Sequence, residues 1–122
     1  MAWASKDGVV CASAVFCNYT DHNIEIHLII KNPWLTFRMR NDVYRYVFDE
    51  LKCLRLTGTV PKSHKRVIRL LRGLGFHFEG SLPLFFGASE DDTGLIFGLY
   101  AADARKVLDA ARPPDTQQPL ER

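Results

Sequence analysis

A carboxylate and an imidazole lie two positions apart in a short apolar run, at Glu25 and His27. Residues two apart in a β-strand point to the same face, so the two side chains would lie about 7 Å apart along the strand. If that face lines a cleft, Glu25 is a candidate general base, acting directly or through water. His27 is a second candidate, because imidazoles titrate near neutral pH. The alternative is a solvated pair on the protein surface.

A second candidate for chemistry is the basic stretch between Leu51 and Phe78. It contains seven Lys or Arg residues and no acidic residue. A local positive field of this kind suits a phosphate-bearing ligand, and a solvated helix face is the alternative. A nucleic-acid surface is a weaker reading, because aromatic residues that could stack on bases are absent between Lys62 and Arg72.

The elements that would position these residues alternate between strands and helices. Strands are predicted where β-branched and apolar residues alternate between turn-forming segments. These are residues 8–16, 24–30, 55–60 and 94–100, with a further strand entered through Gly75 and Phe76.

Three helices are predicted from apolar residues at helical spacing. They are residues 36–50, a basic helix that follows Ser63 as its N-cap and stops near Gly73, and residues 102–110. The first helix follows the loop NPWLTF directly after a strand. That arrangement is a natural anion site, because the amides of a helix's first turn lack partners and the helix dipole is positive there.

Composition limits the class of protein. The 122 residues, 47% hydrophobic and 25% charged, indicate one soluble domain over residues 1–110, and the proline-rich residues 111–122 read as a disordered tail. Three cysteines without metal-ligand spacing favour free thiols, no metal and a cytoplasmic location. No apolar run approaches the roughly 20 residues of a membrane span, so no membrane partner is expected.

A family resemblance enters at the run LGFxxEG, which is Leu74 to Gly80. With the preceding strand and helix, it resembles the motif VxxxNxxAxxLxxKLGFxxEG of the GCN5-related N-acetyltransferases (GNAT). The resemblance is greatest to members that acetylate protein N-termini, such as those of ribosomal proteins, and to short relatives in phage genomes.

This resemblance implies an α/β fold with a mixed sheet of about five to six strands, two main helices and a short C-terminal helix. It implies a truncated domain without the family's first strand and helix pair, which form much of the acceptor-binding wall. That wall would then be absent, or would come from a second copy in a homodimer or from another protein. The implied activity is transfer of an acetyl group from acetyl-CoA to an amine on a protein N-terminus, a lysine or a small molecule.

The resemblance also implies where acetyl-CoA would bind. Its pantetheine arm would lie between splayed strands 24–30 and 55–60, against backbone groups of Leu28, Ile29 and Ile30. Its pyrophosphate would lie on the loop of residues 32–37. The residues implied there and at the basic helix are Trp34, Thr36, Phe37, Arg38, His64 and Arg66.

Three positions depart from the family pattern. The loop NPWLTF lacks the usual glycines, His64 replaces the motif asparagine, and Leu71 stands where many relatives have a tyrosine that protonates the leaving thiolate. Water or another tyrosine such as Tyr100 could serve as that acid. The alternative function is therefore a catalytically degenerate GNAT-fold protein with a binding or structural role, located in the host cytoplasm or a virion if the chain is phage-encoded.

Overall fold

A six-stranded mixed sheet and three helices form the part of the chain that the computed structural model describes, residues 1–5, 7–31 and 36–111. The strands are β1 (Ala2–Ala4), β2 (Val10–Cys17), β3 (Asn23–Ile30), β4 (Arg55–Pro61), β5 (His77–Leu82) and β6 (Gly94–Tyr100). The helices are α1 (Thr36–Tyr44), α2 (Lys65–Gly73) and α3 (Ala101–Ala111). The predicted α/β class, with a mixed sheet and a short last helix, is confirmed.

The strand order is β1-β2-β3-β4-β6-β5, so the last strand lies between β4 and β5. All neighbouring strands are antiparallel except β3 and β4, which are parallel. Between these two comes α1, and α2 leads from β4 to β5 across the intervening β6.

The helices pack against one face of the sheet, here called the helix face. Because side chains alternate along a strand, β3 presents Ile24 and Ile26 to this face. The core also includes Leu56, Phe97 and Leu99 from the sheet and Met39, Val43, Tyr44, Leu71, Leu74, Ala104 and Leu108 from the helices and their ends. The Tyr44 hydroxyl donates a hydrogen bond to the Leu74 carbonyl (2.6 Å), which ties α1 to the end of α2.

The opposite face of the sheet, here called the open face, carries the other alternating positions. Val15 and Ile29 are 58% and 59% exposed there. Polar residues also lie on this face, among them Glu25 on β3, Thr57 on β4 and Glu79 on β5. No helix in the described residues is long and apolar enough to cross a membrane.

Three features of the fold differ from the sequence-based expectation. Strand β1 was not predicted because three residues show no periodicity. It is held by Trp3, which is 5% exposed and whose indole Nε1 donates to Asp42 Oδ2 (2.8 Å). Strand β5, for which the sequence predicted only an entry at Gly75 and Phe76, begins at His77 and continues to Leu82.

The predicted helix over residues 36–50 has the expected length but changes geometry. After α1 it continues as a π-helical segment, Arg45–Glu50, in which the Leu51 amide donates to the Tyr46 carbonyl five residues earlier. The wider turn places Val47 and Phe48 together in the core. The predicted tail from residue 111 lies outside the described residues, apart from Ala111 at the end of α3.

Candidate active site in a cleft between two strands

The cleft begins where β3 and β4 separate. The two strands pair from Asn23 with Arg55 to Ile26 with Gly58, and there the ladder ends. Strand β3 nevertheless continues to Ile30, still paired with β2, and β4 continues to Pro61, still paired with β6. The predicted splayed pair of parallel strands is therefore present. Beyond Ile26, the backbone edge of β3 that faces β4 has no strand partner within the described residues.

The gap between the diverging strands is a cavity of about 290 Å³. Three residues of β3, four of β4, three from the region of α2 and one from the loop before β6 line it. They are Ile26, His27 and Leu28; Gly58, Thr59, Val60 and Pro61; His64, Val67 and Leu71; and Phe86. Most of these side chains are apolar, so the cleft suits a narrow ligand with a largely uncharged body.

The predicted pair Glu25 and His27 lies on either side of the point where the strands separate. Glu25 is opposite Thr57 in the last part of the ladder, and His27 is the first β3 residue beyond it. His27 is exposed and lines the cleft, whereas Glu25 is half-buried on the open face. The Glu25 carboxylate accepts a hydrogen bond from the Asn18 side chain. The shared face is confirmed, and the catalytic roles stay predictions.

The predicted acetyl-CoA contacts on β3 and α1 are only partly described. Leu28 lines the cleft, while the Ile29 side chain points to the open face. Arg38 is exposed in the first turn of α1. Trp34 and the side chains of Ile30, Thr36 and Phe37 lie outside the described residues.

The start of α2 corrects one prediction. His64, rather than Ser63, is the N-cap, and its side chain makes no capping hydrogen bond. The expected serine cap fails because the chain makes one more turn after Pro61, with the His64 amide donating to the Pro61 carbonyl. His64 consequently lines the cleft, whereas Arg66 in the first turn of α2 is exposed and is not among the lining residues.

Neither the position where many relatives have the acidic tyrosine nor Tyr100, the alternative named from the sequence, brings a proton donor to the cleft. Leu71 forms part of the cleft wall and is 1% exposed. Tyr100 lies on the open face, where its hydroxyl donates to Glu79 Oε2 (2.6 Å). That hydrogen bond, more than burial, raises the pKa of Tyr100. The Tyr100 hydroxyl proton is therefore directed at Glu79 and away from the cleft.

The Glu79 carboxylate also forms an ion pair with Arg55, whose Nη2 lies 2.5 Å from Glu79 Oε1. The hydrogen bonds from Arg55 and then from Tyr100 hold the pKa of the Glu79 carboxyl below its usual value. His77 stacks on the Tyr100 ring, with ring centroids 5.1 Å apart. The glutamate of the LGFxxEG run is thus part of a polar network on the open face, outside the cleft.

Sequence reasoning missed Phe86 as a wall of the cleft. Its amide donates to the Asp92 carbonyl (3.0 Å), which folds the loop before β6 back beside β4. The same loop contacts the region of α2 through the ion pair of Lys62 with Glu90. The run Leu84 to Phe86 could have indicated this, because three consecutive large apolar residues in a polar loop are typical of a binding surface.

No family model and no curated protein sequence matches the chain. Solved acetyltransferase structures do resemble it. A GNAT-family acetyltransferase from Bacillus anthracis has a TM-score of 0.64 at 17% identity, over 80% of this chain and 62% of its own. A variant of the spermidine N-acetyltransferase SpeG from Vibrio cholerae has a TM-score of 0.71 at 16% identity, over 91% of this chain and 68% of its own.

The ribosomal-protein-S5-alanine acetyltransferase from Vibrio fischeri has a TM-score of 0.67 at 13% identity, over 80% of this chain and 57% of its own. The chain therefore spans about three fifths of the length of the Bacillus anthracis and Vibrio fischeri structures. At these identities the similarity establishes the fold.

Proposed function

We propose that this chain, which has the GNAT acetyltransferase fold that its sequence resembles, transfers the acetyl group of acetyl-CoA to an amine. The observation that carries the proposal is the separation of β3 from β4 after Ile26 and Gly58. It leaves an apolar cleft beside an unpaired strand edge. The pantetheine arm of acetyl-CoA combines amide groups with short apolar segments, so it fits both surfaces.

In this proposal each part of the cleft has a separate task. Backbone groups from Leu28 onward hold the pantetheine amides, and one amide near the start of the gap faces the thioester oxygen as negative charge develops on it. Exposed cations at Arg38 and Arg66, with His64 in the wall of the cleft, attract the phosphates. These roles are inferred from position and charge.

The reaction needs a free amine. The amine nitrogen attacks the thioester carbonyl, a C–N bond forms, the C–S bond breaks, and CoA leaves as a thiolate that takes up a proton. Glu25, directly or through water, accepts the proton that the amine loses, with His27 as the second candidate. Because the cleft wall at Leu71 is apolar, water is the proposed proton donor to the thiolate.

Two measurements test this proposal. Titration calorimetry should show acetyl-CoA binding, and a thiol-release assay with spermidine or a peptide with a free N-terminus should show turnover. Glu25→Gln should lower the rate of thiol release by about 100-fold or more, which is the usual size of a general-base effect. The affinity for acetyl-CoA should change little. Glu50→Gln, at an exposed position after α1, is the matched control and should retain the wild-type rate.

Leu71 also favours a second candidate, a binding protein that has kept the fold without the chemistry. A buried leucine at the position of the expected acid leaves the cleft without a tyrosine on that wall. This candidate predicts that no amine causes thiol release, whether or not the chain binds acetyl-CoA. Thiol release that depends on Glu25 would contradict it.

A further inference from the structure

The sheet consists of two antiparallel halves that meet over a short length. Strands β1, β2 and β3 form one half, and β4, β6 and β5 form the other. In the first half, β3 pairs with β2 from Glu25 to Ile30. In the second half, β4 pairs with β6 along its whole length. The two halves share a ladder of four residue pairs, from Asn23 with Arg55 to Ile26 with Gly58.

A chain of side-chain hydrogen bonds crosses this junction on the open face. The Thr57 hydroxyl donates to Asn23 Oδ1 (2.6 Å), and Arg55 Nε donates to Thr57 Oγ1 (3.1 Å). Thr57 thereby uses its single proton toward β3 and accepts from its own strand. Within the described residues, this is the one hydrogen bond between a β3 side chain and a β4 side chain.

The chain continues to the far edge of the sheet. Arg55 forms its ion pair with Glu79 on β5, and Tyr100 on β6 donates to the same carboxylate. The strand register shifts between Phe78 and Gly80, so Glu79 is at a bulge. Bulges of this kind redirect a side chain.

Gly98 on β6 gives this ion pair room to lie flat on the sheet. A Cβ atom at Gly98 would lie 2.6 Å from Glu79 Oε2 and 2.8 Å from Arg55 Nη2. Both distances are shorter than the van der Waals contact between a carbon atom and a non-bonded oxygen or nitrogen atom. The network from Asn23 through Thr57 and Arg55 to Glu79 therefore spans four neighbouring strands.

We propose that Thr57, oriented by Arg55 and Glu79, is a positioning residue that sets how far the cleft opens. A parallel ladder of four pairs at one end of two diverging strands can act as a pivot. Thr57 lies one residue before the last pair, Ile26 with Gly58, and ties the two halves on the face that has no helices. The helix-face core restrains the other side of the same pivot.

The inference rests on the proposed function only where acetyl-CoA is the probe, so the main test uses the chain alone. Amide hydrogen exchange is measured for residues 23–26 and 55–58, relative to residues 12–17 of the β2–β3 pairing. Global unfolding affects both sets equally, whereas opening of the junction affects the first set. Thr57→Val should raise this exchange ratio about three- to tenfold, the effect of losing one ordinary hydrogen bond.

Two further variants make the test specific. Thr57→Ser keeps the hydroxyl and should retain the wild-type ratio, while Glu79→Gln should raise it by a smaller factor. Asp49→Asn breaks the ion pair with Arg105 between the π-helical segment and α3, and should leave the ratio unchanged. An unchanged ratio in Thr57→Val would overturn the inference, whatever acetyl-CoA does.

Acetyl-CoA binding then separates the two proposals. If the wild-type chain binds acetyl-CoA, Thr57→Val should weaken its affinity by a similar three- to tenfold factor, while Asp49→Asn should not. If the wild-type chain does not bind it, the proposed function fails and the exchange ratio still decides the role of Thr57.

Discussion

Gly58→Val tests whether the cleft is the acetyl-CoA site. Gly58 lies at the narrow end of the cleft, opposite Ile26. A Cβ atom at Gly58 would lie 3.8 Å from Ile26 Cγ2, which is ordinary van der Waals contact. The valine methyl groups would then project from the helix face of β4 into the cleft that Gly58 lines. Because β-branched residues suit strands, the fold should tolerate the change.

The expected loss of affinity follows from overlap with the ligand. Forcing extra methyl groups into occupied, well-packed space costs about 1–3 kcal/mol. At about 1.4 kcal/mol per tenfold change, acetyl-CoA binding should weaken roughly 5- to 150-fold. The free energy of unfolding should change by less than about 1 kcal/mol, because strand preferences span about that range.

Calorimetric titration with acetyl-CoA measures the affinity, and thermal unfolding measures the stability. Gly80→Val is the matched control, because Gly80 is also in a strand and a Cβ atom there would meet nothing within 4 Å. The control should bind acetyl-CoA as the wild-type chain does. A folded Gly58→Val variant with wild-type affinity would refute the assignment of this cleft.

Three further predictions follow from the same structure. Phe86→Ala removes a cleft wall and should weaken acetyl-CoA binding several-fold, whereas Phe85→Ala in the same loop should not, as paired titrations would reveal. Tyr44→Phe removes the buried hydrogen bond to the Leu74 carbonyl and should cost about 1 kcal/mol, seen as a lower Tm; an unchanged Tm would argue against that bond. Because the folded-state pKa of Glu79 is depressed, its stabilising effect is present above the unfolded pKa and is lost as pH falls through the folded value. The stability difference between the wild-type chain and Glu79→Gln should therefore shrink below about pH 4.5, and a difference independent of pH from 7 to 3 would contradict the shift.

Much of the fold could be read from local patterns, and the cleft could not. Alternation of Ile24, Glu25, Ile26 and His27 predicts a strand and places the two polar residues on one face, because that information is local. The place where β3 leaves β4 depends on the pairing of distant segments. It was available only through the family resemblance of the run Leu74 to Gly80.

The errors have physical causes of the same kind. Strand β1 is stabilised by contacts of Trp3 with α1, which no pattern of three residues can show. His64 displaces Ser63 as N-cap because the turn after Pro61 is set by the position of β4. Phe86 reaches the cleft through the fold of an irregular loop, and such loops have no periodicity to read.

The central position of the last strand has a consequence for synthesis of the chain on the ribosome. Strands β2 and β3 are neighbours in sequence and can pair soon after they emerge. The edges of β4 and β5 that face each other stay unpaired until Gly94–Tyr100 has been synthesised and inserts between them as β6. During that interval the nascent chain exposes edges that can join with other chains, so slow translation after Leu82 should favour aggregation and chaperone capture.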